Sequence, residues 1–581
     1  MLNIGQDSMN HYLCTCSKKL CKLLALSWVL LMTQWALSDL ANAQPSAGQL
    51  LQQIQTENPV VSVPELDGQD GRGRLPAATP AEKKVLIKEF RFSGNTNVSE
   101  KDLQRLVAPY VNRELTFNQL KAIADQITNY YREKGWLVRT LIPKQDITDG
   151  VLTFQIVEAI FGGFIINNES TRVSNERVES WLSNQVSPQS KFSLTDLDRG
   201  ILLLNDLPDV SAEGVLKPGA KPNETDVLVT VVDKPKVDGY FDVDNYGVSS
   251  TGGIRGIASA YLNSPSGFGD QAIAYAMFSE GSQFGRLTYN APIGKDGLRA
   301  GVYGSYLNYR NVDSAFNSLG LTGNAASGGA EANYPIIRSR LANLYAFGSY
   351  GFNTFDNKSN SQTTSQYSSA VGVFGISGNR IDRFAGGGSI AGSLAVSYGD
   401  ILLDGSPLQS LNQATINTGG TFSKLRYTLN RLQTLTNSLS AYLSVSGQYA
   451  QKNLDSSEQM YLGGPFAVRA YAVGQGASTN ANLATAELRW QLPRQTQLTA
   501  FYDIASAQTW ANANFTGNSL TNQYLMQGLG LGAIWSGAKG VILRAAWAHR
   551  TGSLPYSVAQ YMSTNGGMNQ NRFWLNATIS F

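Results

Sequence analysis

The last ten residues, Arg572-Phe573-Trp574-Leu575-Asn576-Ala577-Thr578-Ile579-Ser580-Phe581, alternate strictly, with Phe573, Leu575, Ala577, Ile579 and Phe581 on one face and mostly polar residues on the other. Successive side chains of a strand point to opposite faces. A strand that is apolar on one side, polar on the other and ends on an aromatic therefore suits a barrel wall between lipid and a wet lumen. Similar segments recur from Val237 onward, where glycine, aromatics, Ser, Thr and Asn dominate. Along Leu439–Tyr449, Leu443 and Val445 oppose Tyr442 and Ser444, and along Leu483–Leu492, Leu488 and Trp490 oppose Glu487 and Arg489. Charged residues alternating with apolar ones fit a hydrated lumen and not a dry core. The stretch 237–581 is long enough for about sixteen strands, an even number as such barrels require. Short connections such as 293–297 and 492–496 alternate with Asn/Ser/Gly-rich segments, 354–366 and 451–481, read here as external loops.

The compartment follows from the other end. Lys18, Lys19 and Lys22 precede an apolar core, Leu23–Leu37, and Ala41-Asn42-Ala43 forms an A-x-A cleavage pattern, so residues 1–43 read as a secretory signal peptide. All three cysteines, Cys14, Cys16 and Cys21, lie inside it. The remainder has no thiol for disulfides or thiolate metal sites. No later stretch approaches the roughly 20 apolar residues of a membrane helix, so a chain that spans a membrane must do so as a barrel.

Between the signal and the barrel the pattern is modular. Leu50, Leu51 and Ile54 at helical spacing after Ser46 predict a short amphipathic helix within 44–57, followed by a Pro/Gly/Asp/Ala-rich linker over 58–83. Residues 84–160 read as β-α-α-β-β: a strand Val85–Phe92, helices over 99–108 and 118–134, and strands over 136–142 and 151–157. Residues 161–236 repeat that order, with helices over 174–182 and 195–204, giving two tandem modules of about 75 residues.

Chemistry is restricted. Apart from His11 in the signal, the sole histidine is His549, which a Ser-His-Asp arrangement would have to be built around alone. No GxxxxGK[ST] loop for nucleotide is present. A net charge of +3 without a basic tract argues against nucleic acid as a partner. No catalytic residue, metal site or cofactor is expected.

Signal, helix, linker, two modules and barrel together resemble the two-partner secretion transporters of the haemolysin secretion/activation (TpsB) type, in the BamA-like superfamily. Val468-Arg469-Ala470-Tyr471 matches that family's V-R-G-Y/F tip of the sixth external loop, Phe501-Tyr502-Asp503-Ile504-Ala505 its F-x-D-x-G wall motif, and Asp244-Asn245-Tyr246-Gly247 with Thr251-Gly252 the opening of its barrel. The resemblance implies two α/β polypeptide-transport-associated (POTRA) modules, 84–160 and 161–236, followed by a transmembrane antiparallel β-barrel over 237–581. It further implies an Arg469–Asp503 contact across the lumen, a plug formed by the N-terminal helix, and barrel-assembly machinery acting on a signal that includes Phe573 and Phe581. The partner it implies is one large secreted exoprotein, an adhesin, haemolysin or contact-inhibition toxin, moved across the lipids of a bacterial outer membrane without nucleotide. The groove around Leu120, Ile123, Ile127 and Tyr131 is the candidate substrate surface. Ala470 and Ala505 stand where the family has glycine, which puts the loop-tip turn in question. A barrel- or autotransporter-assembly factor, a passive porin-like channel and an outer-membrane hydrolase are the competing readings.

Overall fold

The computed structural model describes residues 45–56, 84–515, 521–552 and 569–581. The expected signal peptide and the linker 58–83 lie outside the described residues.

Helix α1 (Ala47–Thr56) comes first, with the Ser46 hydroxyl accepting from the Gln49 amide (3.1 Å) as its N-cap. The first α/β unit follows as β1 (Lys84–Ile87), β2 (Glu89–Ser93), α2 (Glu100–Val107), β3 (Arg113–Thr116), α3 (Phe117–Glu133), β4 (Val138–Leu141) and β5 (Val151–Glu158). The single strand expected over Val85–Phe92 is in fact two, serving different sheets: β1 pairs with β3, and β2 runs parallel to β5. The break falls at Lys88, whose amide, with that of Glu89, turns to the Gly150 carbonyl (2.7 and 3.2 Å). Strand β3 has no signal of its own, being four residues that lead into the Thr116–Gln119 capping box of α3.

The second unit contains β6 (Ile160–Asn168), α4 (Asn175–Ser183), α5 (Leu194–Asn205), β7 (Val210–Pro218) and β8 (Glu224–Asp233), its sheet ordered β6-β8-β7. Main-chain bonds join the units: the Leu137 amide donates to Phe192 O (3.3 Å) and the Phe192 amide to Ala159 O (3.0 Å). The second unit is fixed in turn to the base of the barrel. Arg338 grips Asp206 with Nε and Nη2 (2.9 and 2.8 Å), and the Asn184 amide donates to Asp296 (2.6 Å).

The barrel begins with β9 (Val237–Asp244), β10 (Arg255–Asn263), β11 (Gln271–Ser279), β12 (Ser282–Ile293), β13 (Leu298–Arg310) and β14 (Thr322–Arg338). It continues through β15 (Ala342–Ser359), β16 (Gln362–Asp382), β17 (Gly388–Leu402), β18 (Gly420–Thr434) and β19 (Leu439–Ala450). It ends with β20 (Asn480–Leu492), β21 (Thr496–Gln508), β22 (Gln523–Ser536), β23 (Val541–Arg550) and β24 (Asn571–Ser580). All sixteen are antiparallel to their neighbours, and β24 pairs back onto β9, closing the barrel. Phe573, Leu575, Ile579 and Phe581 face outward and are exposed, as are Leu488 and Trp490.

One expected loop is wrong. Residues 354–366 belong to the β15–β16 hairpin, which turns on Asn360-Ser361, both at positive φ (47° and 67°), the mirror-image turn that suits strand twist. At 18 and 21 residues these strands far exceed the roughly 9–11 needed to cross a membrane. The connection 451–479 is long as expected, the sixth on the external side, and folds into the lumen.

Candidate functional site inside the barrel

Three elements meet in the lumen: the wall, the sixth external loop and α1. The loop is seated by β22, whose inward residues are Met526, Gly528, Gly530 and Gly532, while Leu529 and Leu531 face out. The Ala470 methyl packs where a Gly528 side chain would stand, and the Phe501 ring covers Gly530. A larger residue at Gly528 would push the loop off the wall, and one at Gly530 would displace the Phe501 ring. Neither Ala470 nor Ala505 needs positive φ, so the turn forms without the family glycines.

Arg469 is then placed over β20 and β21. Its Nε and Nη2 donate to Asp503 Oδ2 and Oδ1 (2.9 and 2.8 Å), and Nη1 reaches Glu487 Oε1 (2.8 Å). The guanidinium also lies 3.3 Å from the Phe501 ring centroid, so its face and its edge are both engaged. Asp503 is fully buried and takes further bonds from the Arg469 amide (3.1 Å) and Thr485 Oγ1 (3.0 Å). Val468 and Tyr471 are buried beside it.

Glu487 and Thr485 were readable as inward-facing on β20, but nothing in the sequence pairs them with Arg469. Trp574 is likewise an aromatic on the polar face of the last strand. Its indole donates to the Arg469 carbonyl (2.8 Å), and its ring meets Tyr246 edge-on (5.8 Å), as Phe466 of the loop does (5.6 Å). The Asp244-Asn245-Tyr246 segment is thus joined to the loop where β9 meets β24, and Arg255 holds Asp244 in a buried bidentate pair (both 2.9 Å).

Helix α1 lies inside the barrel. Leu50, Leu51 and Ile54 are buried against Tyr309, Phe355, Tyr367, Ile401 and Phe422 of the wall and Leu454 of the loop. Its first residues are held by the wall, through Tyr309 Oη to Pro45 O (3.0 Å) and the Ala47 amide to Asn357 Oδ1 (2.9 Å), and by the loop, through Ser46 and Ser456 (3.0 Å).

The expected substrate groove requires correction. Leu120, Ile123, Ile127 and Tyr131 are 3% exposed or less and form the core of the first unit, because their helical spacing packs α3 onto the sheet. Ile127→Ala is expected to destabilise that unit by about 2–5 kcal/mol. The check is limited proteolysis, with cleavage within 84–158 ahead of any change in the barrel. His549 sits at the external end of β23, half-buried and bonded to Asn571 (2.9 Å).

A sixteen-stranded barrel on two periplasmic α/β modules, with an inward loop locked to its wall by an arginine, defines an outer-membrane transporter of the POTRA-barrel class. A family model described as "Haemolysin secretion/activation protein ShlB/FhaC/HecB" matches residues 223–533, and one described as "POTRA domain, ShlB-type" matches residues 85–159. The chain belongs to this haemolysin secretion/activation family, the two-partner secretion transporters, with its barrel in the outer membrane and its POTRA modules in the periplasm. It is 26% identical over 562 residues to the Heme/hemopexin transporter protein HuxB of Haemophilus influenzae (strain 86-028NP), covering 94% of this chain and 96% of that one. It is 23% identical over 474 residues to the Outer membrane transporter CdiB of Dickeya dadantii (strain 3937), covering 79% and 80%. The fold matches CdiB from Escherichia coli with a TM-score of 0.63 at 18% identity, over 93% of this chain and 99% of that one. Members of the family are transporters.

Proposed function

We propose that this transporter recognises one large exoprotein in the periplasm through its POTRA modules and passes it outward unfolded, with α1 as the resting plug and without nucleotide or catalysis. The cargo class is an adhesin, haemolysin or contact-inhibition toxin. The observation that carries the reading is α1 seated inside the lumen, bonded to both wall and loop. A permanently open barrel of this size would leak, whereas a short helix held by few polar bonds can be displaced by a docked passenger.

With the α3 residues in the core, the supporting surface in the modules is the outer edge of β7. The Asn205 amide caps Ala212 there, accepting from its N–H (2.9 Å) and donating to its carbonyl (2.7 Å), as a neighbouring strand would. Beyond it the outward backbone groups of Gly214 and Leu216 have no partner among the described residues, up to Pro218. Val215 and Leu216 are about half exposed. An extended passenger segment adds there as a strand. Barrel-assembly machinery inserts the chain, acting on the last strand with its outward Phe573 and Phe581.

The test is deletion of 45–56. Resting conductance in planar bilayers should rise severalfold while heat-modifiability is kept; unchanged conductance would remove the plug from the reading.

A further inference from the structure

The lumen has two unlike halves. A cavity of about 800 Å³ lies between the loop and the wall. It is bounded on one side by Phe466, Ala467 and Arg469 and on the other by the inward rows of β15 to β20. Its wall presents Ser349 and Asn353 from β15, Val371 and Val373 from β16, and Ser393 and Ala395 from β17. Ser444 and Ser446 continue it on β19.

By strand alternation from these residues, the inward rows of β15, β16, β17 and β19 contain no Asp, Glu, Lys or Arg. Strand β18 brings two cations inward, both already held. Lys424 donates to Glu458 Oε2 (2.5 Å), and Arg426 Nε to Gln448 (2.6 Å). Charge faces inward from most of the other strands, β11 and β22 excepted, in pairs such as Arg255–Asp244, Arg286–Glu331 and Arg469–Asp503, and Glu487 and Arg489 of β20 bring it to the edge of the cavity.

This segregation matters to a moving chain. Fixed charges in a confined, partly dehydrated space hold oppositely charged side chains strongly enough to stall each one in turn. Hydroxyls and amides offer weak net bonds, each much like the next, which a backbone exchanges as it slides. The loop occupies the charged residues of β20 and β21, where its arginine already satisfies Asp503 and Glu487, and the other charges pair within the wall. Of α1, the residues Gln52, Gln55 and Thr56 in the last two turns line this same cavity.

We propose that the secreted chain crosses as an extended segment along the face of β15 to β19, uncharged but for the held Lys424 and Arg426 of β18, and that the loop stays docked at Asp503 while α1 alone leaves. This rests on the transport reading above and adds the route, the chemistry of the face and which element moves.

The experiment exploits the absence of cysteine after Cys21. Single cysteines are placed on the uncharged face (Ser393→Cys, Ser444→Cys), on the charged half (Thr288→Cys, Thr578→Cys) and at the loop tip (Ala470→Cys, 1% exposed). The full chain without 45–56 is held in bilayers with an unstructured Gly/Ser/Asn peptide as probe, and reaction with a charged thiol reagent is followed. The peptide should lower conductance and slow labelling of the first pair at least tenfold, with the second pair unchanged and Ala470→Cys unlabelled. Equal protection of both halves, or protection of the charged half alone, overturns the route. Labelling of Ala470→Cys while the peptide is inside overturns the docked loop. A peptide that never lowers conductance overturns the transport reading itself, a failure distinct from the other two.

Discussion

Arg469→Ala is expected to abolish secretion of the partner exoprotein while leaving a heat-modifiable barrel in the outer membrane. The guanidinium satisfies both oxygens of a fully buried Asp503 and one of Glu487, whose side chain is 10% exposed. Its removal leaves the buried Asp503 of β21 without a counter-charge, with Thr485 and the backbone amide of residue 469 as its remaining partners, while Glu487, diagonal to it on β20, keeps only Arg489 (2.8 Å). Breaking a buried pair from one side costs about 3–5 kcal/mol. At about 1.4 kcal/mol per factor of ten, the docked loop falls from dominant to a minor population. The Trp574 and Phe466 contacts at the β9–β24 closure go with it. Arg469→Lys should rescue only a small part, because an ammonium keeps the charge but cannot bridge Asp503 and Glu487 as a fork while stacking on Phe501. Asp503→Asn should be milder than Arg469→Ala, since it leaves a neutral amide in place of a buried unpaired carboxylate and leaves Arg469 still bonded to Glu487. The comparison is exoprotein in the medium against barrel mobility on unheated gels. Normal secretion by Arg469→Ala would show that the contact is ornamental, and loss of the folded band would show that it serves assembly instead.

How far the sequence could be read depended on whether a residue's neighbours lie along the chain or across it. Alternation along Leu439–Tyr449 and Leu483–Leu492 reported which side chains meet lipid, because that depends on one strand alone. The same rule failed at 354–366. The outer end of β15, where Asn357 and Ser359 follow Phe355 on the inward row, stands above the membrane and has the composition of a loop, and only its pairing with β16 reveals it. Helix α3 was placed correctly, but amphipathic spacing is identical for a core face and a docking groove, so Leu120, Ile123, Ile127 and Tyr131 were misassigned. At the lumen site, Arg469 and Asp503 were legible through motifs, whereas Glu487, Trp574 and the glycines of β22 acquire meaning only once loop and wall are opposed. The uncharged half of the lumen is written in the sequence as the absence of one class of residue from every second position of four strands. It becomes visible only when the strands are in register.

A reversible lock on α1 is the second large effect expected. Ser46 at the helix start and Ser456 in the loop face each other with hydroxyls 3.0 Å apart, and neither position lies in the Arg469 cluster. Cysteines at both positions place two sulfurs where a disulfide needs only small adjustment of the Cβ positions. The bond would form in an oxidising compartment with no competing thiol after Cys21. Losing the Ser46 cap costs the helix about 1 kcal/mol, so the unbridged variant should if anything release its plug more readily. Ser46→Cys/Ser456→Cys should therefore secrete nothing when oxidised and at least as much as wild type when reduced, and each single variant should secrete in both states. The two states differ by one covalent bond between helix and loop, so fold, insertion and POTRA docking are common to both. Since the bond ties α1 to the loop and not to the wall, secretion by the oxidised form would mean that helix and loop leave together or that the helix need not move. The first alternative is separated by Ala470→Cys, which is unreactive beneath a docked loop and labelled once the loop has gone.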